Sequence, residues 1–254
     1  LLSAQTTLEG PFYKGAWILS GRRTYFDLVL PKVLPDNIAT NIPPYFFYDV
    51  QGHIFSDISS KDRLSLSYYT GIDDILFDTF GLDGRWGNNT ISGHWRRVFS
   101  ERLVGNFLVA NSNFRTFFGL GGDGGLVNDN IIDDRTISAD LSWFKTPDLT
   151  IKFGFQNKIL GFEYFSEFQD STVFRIKNSP LEFGTYAKMK YNFSDVLILE
   201  PGFRLNYYDV FPDSLYPDLR FGLKYLLTDD RYINLSVGNY HQFISTFQDD
   251  FNPS

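Results

Sequence analysis

The sequence predicts an all-β protein: a transmembrane antiparallel β-barrel of about twelve meandering strands. Three observations carry that prediction. Apolar and polar residues alternate through segments that often run for about ten to fifteen residues, longer than the five or six usual in soluble sandwiches. Short turns and long polar connections follow one another in strict alternation. Aromatic residues make up 18% of the 254, with 27 Phe and 15 Tyr against one Met and no Cys, a balance that favours strands and turns over helices. No segment reads as a helix, and none has the run of about 20 apolar residues that a membrane helix needs.

The turns come first along the chain. GPFYKG at 10–15, SSKD at 59–62, SER at 100–102, TPD at 146–148, FSD at 193–195 and TDD at 228–230 each join two alternating segments, giving six hairpins. The hairpins are linked by PKVLPDNIATNIPPY, FDTFGLDGRWGN, GLGGDGGLVNDN, FSEFQDSTVFRIKNS and the briefer FPDSLYP. Within the segments one face is apolar and the other holds charges and glycines. In 48–58, Tyr48, Val50, Gly52, Ile54 and Ile58 oppose Asp49, Gln51, His53, Phe55 and Asp57. In 219–227, Leu219, Phe221, Leu223, Tyr225 and Leu227 oppose Arg220, Gly222, Lys224 and Leu226, and 149–156 and 233–242 repeat the pattern. Lys152, Lys188, Lys190, Glu200 and Arg204 all fall on the polar side, the side expected to face a lumen. Short turns would face the periplasm and long loops the exterior. Aromatics near strand ends, among them Trp17, Tyr25, Tyr45, Tyr68, Phe99, Phe144, Phe193 and Tyr232, would form the interfacial girdles.

The stretch GAWILSGRRTYFDLVL at 15–30 tests this reading, because it sets Arg22 and Arg23 between two apolar runs. Adjacent strand residues face opposite sides, so both arginines cannot enter the lumen without a bulge. With Ala16, Ser20, Arg22 and Thr24 inward, Trp17, Leu19, Gly21, Arg23 and Tyr25 face lipid. Nine residues above the turn at Lys14, at about 3.3 Å each and a tilt of about 40°, Arg23 stands about 23 Å up, near the top of an apolar band about 25 Å tall. There it could meet lipopolysaccharide phosphates. A bulge at Gly21 that turns Arg23 inward is the rival account.

Sites for other chemistry are few. A net charge of -7 argues against a nucleic-acid partner. Without Cys there is neither a disulfide framework nor a thiolate metal site. Gly119, Gly121 and Gly124 match G-x-G-x-x-G in letters, yet loop and strand follow instead of the helix that dinucleotide binding requires. Asp123, Asp129, Asp133 and Asp134 could offer oxygen ligands to calcium, but not at EF-hand spacing. His53, His94 and His241 lie in three separate predicted strands without zinc-site spacing. His94 and His241 would be the candidate bases of a Ser-His hydrolase, and no nucleophile motif stands beside either. Asn88, Asn192 and Asn234 open N-x-[ST] sequons that carry no meaning in a bacterial outer membrane. The expectation is no enzyme, no catalytic or metal residues, no cofactor and no assigned ligand-binding residue.

LEGPFYKGAWILSGRRTYFDLVL, YFFYDVQGHIFSDISSKDRLSLSYYTG and YPDLRFGLKYLLTDDRYINLSVGNYHQF resemble barrel strands of TonB-dependent outer-membrane receptors. The likeness is greatest to the Bacteroidota type, which often carries a carboxypeptidase-regulatory-like domain before its plug: an EGP turn, SGRR followed by an aromatic, and a KDRLSLS turn. The resemblance implies a place in a 22-stranded, plugged barrel in the outer membrane of a Gram-negative bacterium. It further implies energised uptake of a scarce ligand: a metal chelate, cobalamin or an oligosaccharide. The implied partners are outer-membrane lipid and lipopolysaccharide, the receptor's own plug and TonB. Residues 1–254 are then a single barrel region, roughly the first half after the plug, with the plug and remaining strands absent. The opening LLSAQTTLEG and closing FQDDFNPS read as internal positions of a longer chain. The alternative is a complete twelve-stranded porin or barrel-embedded hydrolase, whose first strand must pair with its last so that no edge meets lipid.

Overall fold

A computed structural model describes residues 3–35, 44–77, 81–210 and 215–243. Among them are thirteen strands and one short helix. The strands are β1 (Ser3–Phe12), β2 (Gly15–Thr24), β3 (Tyr45–Asp57), β4 (Asp62–Phe77), β5 (Leu82–Ser100), β6 (Leu103–Leu120) and β7 (Leu126–Thr146), followed by β8 (Leu149–Phe168), β9 (Ser171–Asn178), β10 (Leu181–Ser194), β11 (Leu197–Tyr208), β12 (Leu215–Leu226) and β13 (Tyr232–Gly238). The helix, α1 (Phe26–Val33), follows β2. Each strand pairs antiparallel with its neighbour in the chain, except that β8 takes two partners on one edge. β10 pairs with its lower part, from Leu149 to Ile159, and β9 with its upper part, from Phe162 to Phe168. β1 and β13 each have one partner, so the described sheet does not close on itself.

All six predicted hairpins form, and their turns are the short ones. Bulges bend the strands next to three of these turns, at Val98/Ser100, Phe144/Thr146 and Asn192/Ser194. The predicted long connections are where the structure departs from the pattern. Much of FDTFGLDGRWGN and GLGGDGGLVNDN is strand, because β5 begins at Leu82 and β7 at Leu126. FSEFQDSTVFRIKNS folds as the β8–β9 hairpin, which supplies the thirteenth strand. The polar residues there are cross-strand partners rather than loop residues.

A second correction concerns 26–33, which is helical although no helix was expected. Its local chemistry agrees with a helix of two turns: Asp27 sits in the first turn and Lys32 in the last, each opposing the helix dipole. In the sequence FDLVL reads as the end of the apolar stretch 15–30, and PKV as the start of a long connection. Tyr25, expected in the girdle, is the residue before the helix.

The register is unbroken from Arg22↔Asp49 and Arg23↔Tyr48 through Leu19↔Gly52 to Gly15↔Ser56, so there is no bulge at Gly21. Arg23 therefore lies on the face of Trp17 and Leu19. Its guanidinium pairs with Asp27 of α1 at 2.7 Å and lies 5.0 Å from the ring of Phe46. Arg22 lies on the other face and pairs with Asp49 at 2.7 Å.

The sheet is a single layer, and its burial is inverted relative to a soluble core. Among the described residues Leu160 and Tyr208 are the large hydrophobic side chains that are buried, whereas Leu8, Leu66, Val109, Leu219, Leu235 and Val237 are exposed. The buried polar set is Ser20, Thr24, Thr136, Ser166, Asn206 and Asp218. One cross-strand row on the apolar face reads Trp17, Ile54, Leu66, Gly93, Val109, Ile137. A row on the polar face reads Thr7, Ser20, Gln51, Tyr69, Thr90, Ser112, Asp134.

The β8–β9 turn places Gln169 at φ 51° and Asp170 at φ 57°, the left-handed pair of a two-residue hairpin loop that Asn-Gly adopts with least strain. Gln169→Asn with Asp170→Gly is expected to stabilise the hairpin by about 1 kcal/mol. The gain should appear as slower hydrogen exchange at the amides of β9.

Candidate functional site

The polar face is the chemically diverse surface of the molecule. Near the β1 edge, hydroxyls interlock: Thr7 Oγ1 and Ser20 Oγ share a hydrogen bond of 3.0 Å, and the Phe47 amide donates to Thr24 Oγ1 at 2.9 Å. A hollow of about 370 Å³ opens beside them, lined by Ser20, Gln51, His53, Ser67, Tyr69 and Thr90. His53 Nδ1 and Ser67 Oγ share a hydrogen bond of 2.8 Å across β3 and β4. Further along the same face Ser112 bonds Thr90 at 2.9 Å and donates to Asn88 Oδ1 at 3.1 Å.

From β7 to β12 the polar face becomes ionic. Asp134 accepts from Thr136 at 2.5 Å and from Lys158 at 3.5 Å, and the Tyr186 hydroxyl donates to Asp140. Gly184 leaves the space that the Arg204 guanidinium occupies, since a Cβ there would lie 2.4 Å from its terminal nitrogen. Arg204 Nε donates to Asn206 Oδ1 at 2.5 Å, and Asn206 Nδ2 donates to Asp218 Oδ2 at 3.1 Å. Asp218 is the centre of this group: it is 1% exposed, lies 3.4 Å from Arg220, and accepts from His241 Nδ1 at 2.6 Å. An aromatic cluster adjoins it, with the Phe243 ring 4.8 Å from Tyr208 and 4.9 Å from Tyr216.

The structure places each of the sequence-predicted candidates. His53 meets a serine but not a carboxylate, and His241 meets a carboxylate but not a hydroxyl, so neither pair assembles a triad. His241 follows β13 instead of lying in a strand, and His94 stands on the polar face opposite Ser65 and Leu108. Asp129 is held by Arg115, Asp133 by Asn113, and Asp134 lies on the opposite face from both, so the aspartates do not converge. Among the described residues no group of three or more His, Asp or Glu could hold a metal ion. Gly119 ends in β6, and Gly121, Gly122 and Gly124 take positive φ in a tight turn that leads into β7, with no helix to receive a phosphate. Asn88 and Asn234 lie within β5 and β13, and Asn192 stands at the β10 bulge.

The upper rows of the apolar face carry ion pairs. Arg85 meets Asp74 at 2.6 Å, Arg115 binds both oxygens of Asp129, and Glu163 accepts from Arg175 at 2.5 Å and Lys177 at 3.0 Å. Hydrogen bonding from Arg175 and then Lys177 holds the Glu163 carboxyl below its ordinary value of 4.5. Below these rows come Asn113 bonded to Asp133 and Asn111 opposite Arg135, and from the row of Val109 and Ile137 to the short turns the face is mainly aliphatic and aromatic.

The described geometry is shared with solved structures. The ferripyoverdine receptor of the outer membrane of Pseudomonas aeruginosa superposes with a TM-score of 0.72 at 12% identity, over 92% of this chain and 40% of the receptor. The fold is that of the wall of an outer-membrane β-barrel. The copper transporter OprC matches with a TM-score of 0.63 at 10% identity over 92% of this chain and 44% of its own. The ferric-catecholate import receptor Fiu of E. coli K12 matches with a TM-score of 0.62 at 10% identity over 93% and 51%. The barrel wall thus spans about half or less of the structures it matches. No family model matches the sequence, and neither does any curated protein.

In a barrel wall of this kind the polar face lines the lumen and the apolar belt meets lipid. The Asp218 cluster was not foreseen from sequence. Alternation puts Arg204, Asp218 and Arg220 on one face, but only the β11–β12 register, with Arg204 opposite Asp218, brings them together. Replacing Asp218 by Ala removes the acceptor shared by Asn206, Arg220 and His241, and is expected to cost about 3 kcal/mol in urea unfolding of vesicle-inserted protein. Acid acts on the outer hairpin in a defined direction. A carboxyl with a lowered pKa stabilises the fold above its unfolded value and loses that contribution as it is protonated. Protection factors of β8–β9 amides, taken relative to intrinsic exchange, should therefore fall as the pH drops below 4.5, and Glu163→Gln should weaken that fall.

Proposed function

We propose that this chain is a sector of the barrel wall of a TonB-dependent receptor in the outer membrane of a Gram-negative bacterium. In this reading it serves energised uptake of a scarce small ligand and is not an enzyme. The observation that carries the reading is the single-layered sheet itself. An apolar belt on one face, hydrogen-bonded polar rows on the other and unpaired edges at β1 and β13 leave the sheet needing further strands to close. Residues 1–254 then form one barrel region, and the plug and remaining strands come from elsewhere in the receptor. The polar rows from Thr7 to Asp134 and the Asp218 cluster would face the plug, while the β8–β9 hairpin and the loops beside it would meet ligand.

The ligand class best supported is a metal chelate, because the matched structures carry ferripyoverdine, ferric catecholate and copper in their names. Cobalamin and oligosaccharides are the other members of the class proposed. The Bacteroidota-type subgroup rests on the EGP, SGRR and KDRLSLS stretches alone. The complete twelve-stranded porin or hydrolase is disfavoured, since it would require β1 to pair with β13, and each has its single partner elsewhere. Lipopolysaccharide remains a proposed neighbour, although Arg23 already has Asp27 for its charge.

Cells producing the intact receptor should accumulate radiolabelled iron supplied as a ferric catecholate, and should stop when TonB is deleted or a protonophore collapses the gradient. Passive, TonB-independent ion conductance by this chain alone would sink the proposal.

A further inference from the structure

The apolar face contains a trough of about 890 Å³ on its lower half, between β3 and β6, lined by Ile54, Leu66, Gly93, Trp95, Phe107 and Val109. Its floor is a missing side chain. In the row Ile54, Leu66, Gly93, Val109 each neighbour fills its place, while a Cβ at Gly93 would meet nothing within 4 Å. Trp95 stacks on Phe107 at 4.8 Å and forms one wall.

Asp62 and Arg97 stand just outside the trough, in the next row toward the short turns from Leu64 and Trp95 of its wall. Trp95 Nε1 and Arg97 NH1 both donate to Asp62 Oδ1, at 3.0 and 3.1 Å. That contact holds the Arg97 guanidinium 5.8 Å from the Trp95 ring and 5.4 Å from the Phe99 ring. Arg97 keeps 41% of its side chain exposed, and its fork has further N–H donors beyond the one spent on Asp62. One row deeper, and two strands from Trp95 along that row, Ser56 Oγ lies in the trough wall, shielded from solvent and without a hydrogen-bond partner.

We infer that this trough is a binding site for one glycerophospholipid of the periplasmic leaflet. The inference rests on the barrel reading, which turns this face toward lipid and puts its short turns in the periplasm. The order of groups matches the ligand from headgroup to tail. Arg97 offers a charged fork to the phosphate, and the groove over Gly93 takes one acyl chain. Elsewhere in the belt, in the row Phe153, Ala187, Phe203, Leu219, every position carries a side chain, and lipid meets a filled surface. A phosphate on Arg97 also explains a surface arginine sandwiched between two aromatic rings at the level of the girdle.

The test is native mass spectrometry of the full receptor chain, inserted into vesicles of phosphatidylglycerol and phosphatidylethanolamine and then released into detergent. The natural sequence should retain one phospholipid through detergent washing and should not retain diacylglycerol, which lacks the phosphate. Gly93→Leu extends into the groove from a Cβ position that meets nothing within 4 Å and should lower occupancy about tenfold. Arg97→Gln should lower it about fivefold. Phe155→Leu, in the belt outside the trough, should leave it unchanged. Insertion of Gly93→Leu with undiminished retention overturns the site alone, as does equal loss in Phe155→Leu. Failure of the natural sequence to insert overturns the barrel reading and the site with it.

Discussion

Every other feature of this molecule depends on the backbone hydrogen-bond ladder that runs from β1 to β13. A one-layer sheet has no second layer to bury its faces, and in hydrocarbon each unpaired N–H or C=O costs several kcal/mol. The ladder must therefore be continuous, and it is: the register runs from strand to strand with few shifts, most of them next to the short turns. Side chains are then free to differ on the two faces, because neither face is asked to hold the sheet together.

That division of labour explains which parts were legible in the sequence. Period-two alternation is local, so the six hairpins and the identity of each face could be read directly from stretches such as 48–58 and 219–227. Arg23 could be placed at the edge of the belt by counting from Lys14. Above the belt the signal weakens, because both faces there meet water and polar residues no longer report direction. The strand sequences LVNDN and STVFRIKN read as loop for that reason. The helix at 26–33 was hidden by the opposite effect, since the short apolar run Leu28, Val29, Leu30 fits a strand as well as it fits a turn of helix.

The luminal cluster was hidden by register. Arg204, Asn206, Asp218 and Arg220 alternate correctly in their own strands, but alternation says nothing about which residue of β11 stands opposite which residue of β12. His241 reaches Asp218 from beyond the end of β13, where Asn239 still bonds the backbone of Leu219 and Pro217. Charge pairing on this wall is a property of strands taken together, whereas polarity is a property of each alone. The empty place at Gly93 belongs to the same class: a glycine in one strand becomes a groove only when Leu66 and Val109 stand on either side of it.

The meander order has a consequence for how such a wall is made. Apart from the β8 fork, each strand needs only its predecessor, so pairing can proceed hairpin by hairpin with small loop-closure cost at every step. In a cylinder completed by strands that follow β13 in the same meander, β1 escapes that economy, because its second partner is then the far end of the chain of hairpins. Closing the seam is then the slow, late event of assembly, and until it happens two rows of bare amides stand open to any strand that arrives first.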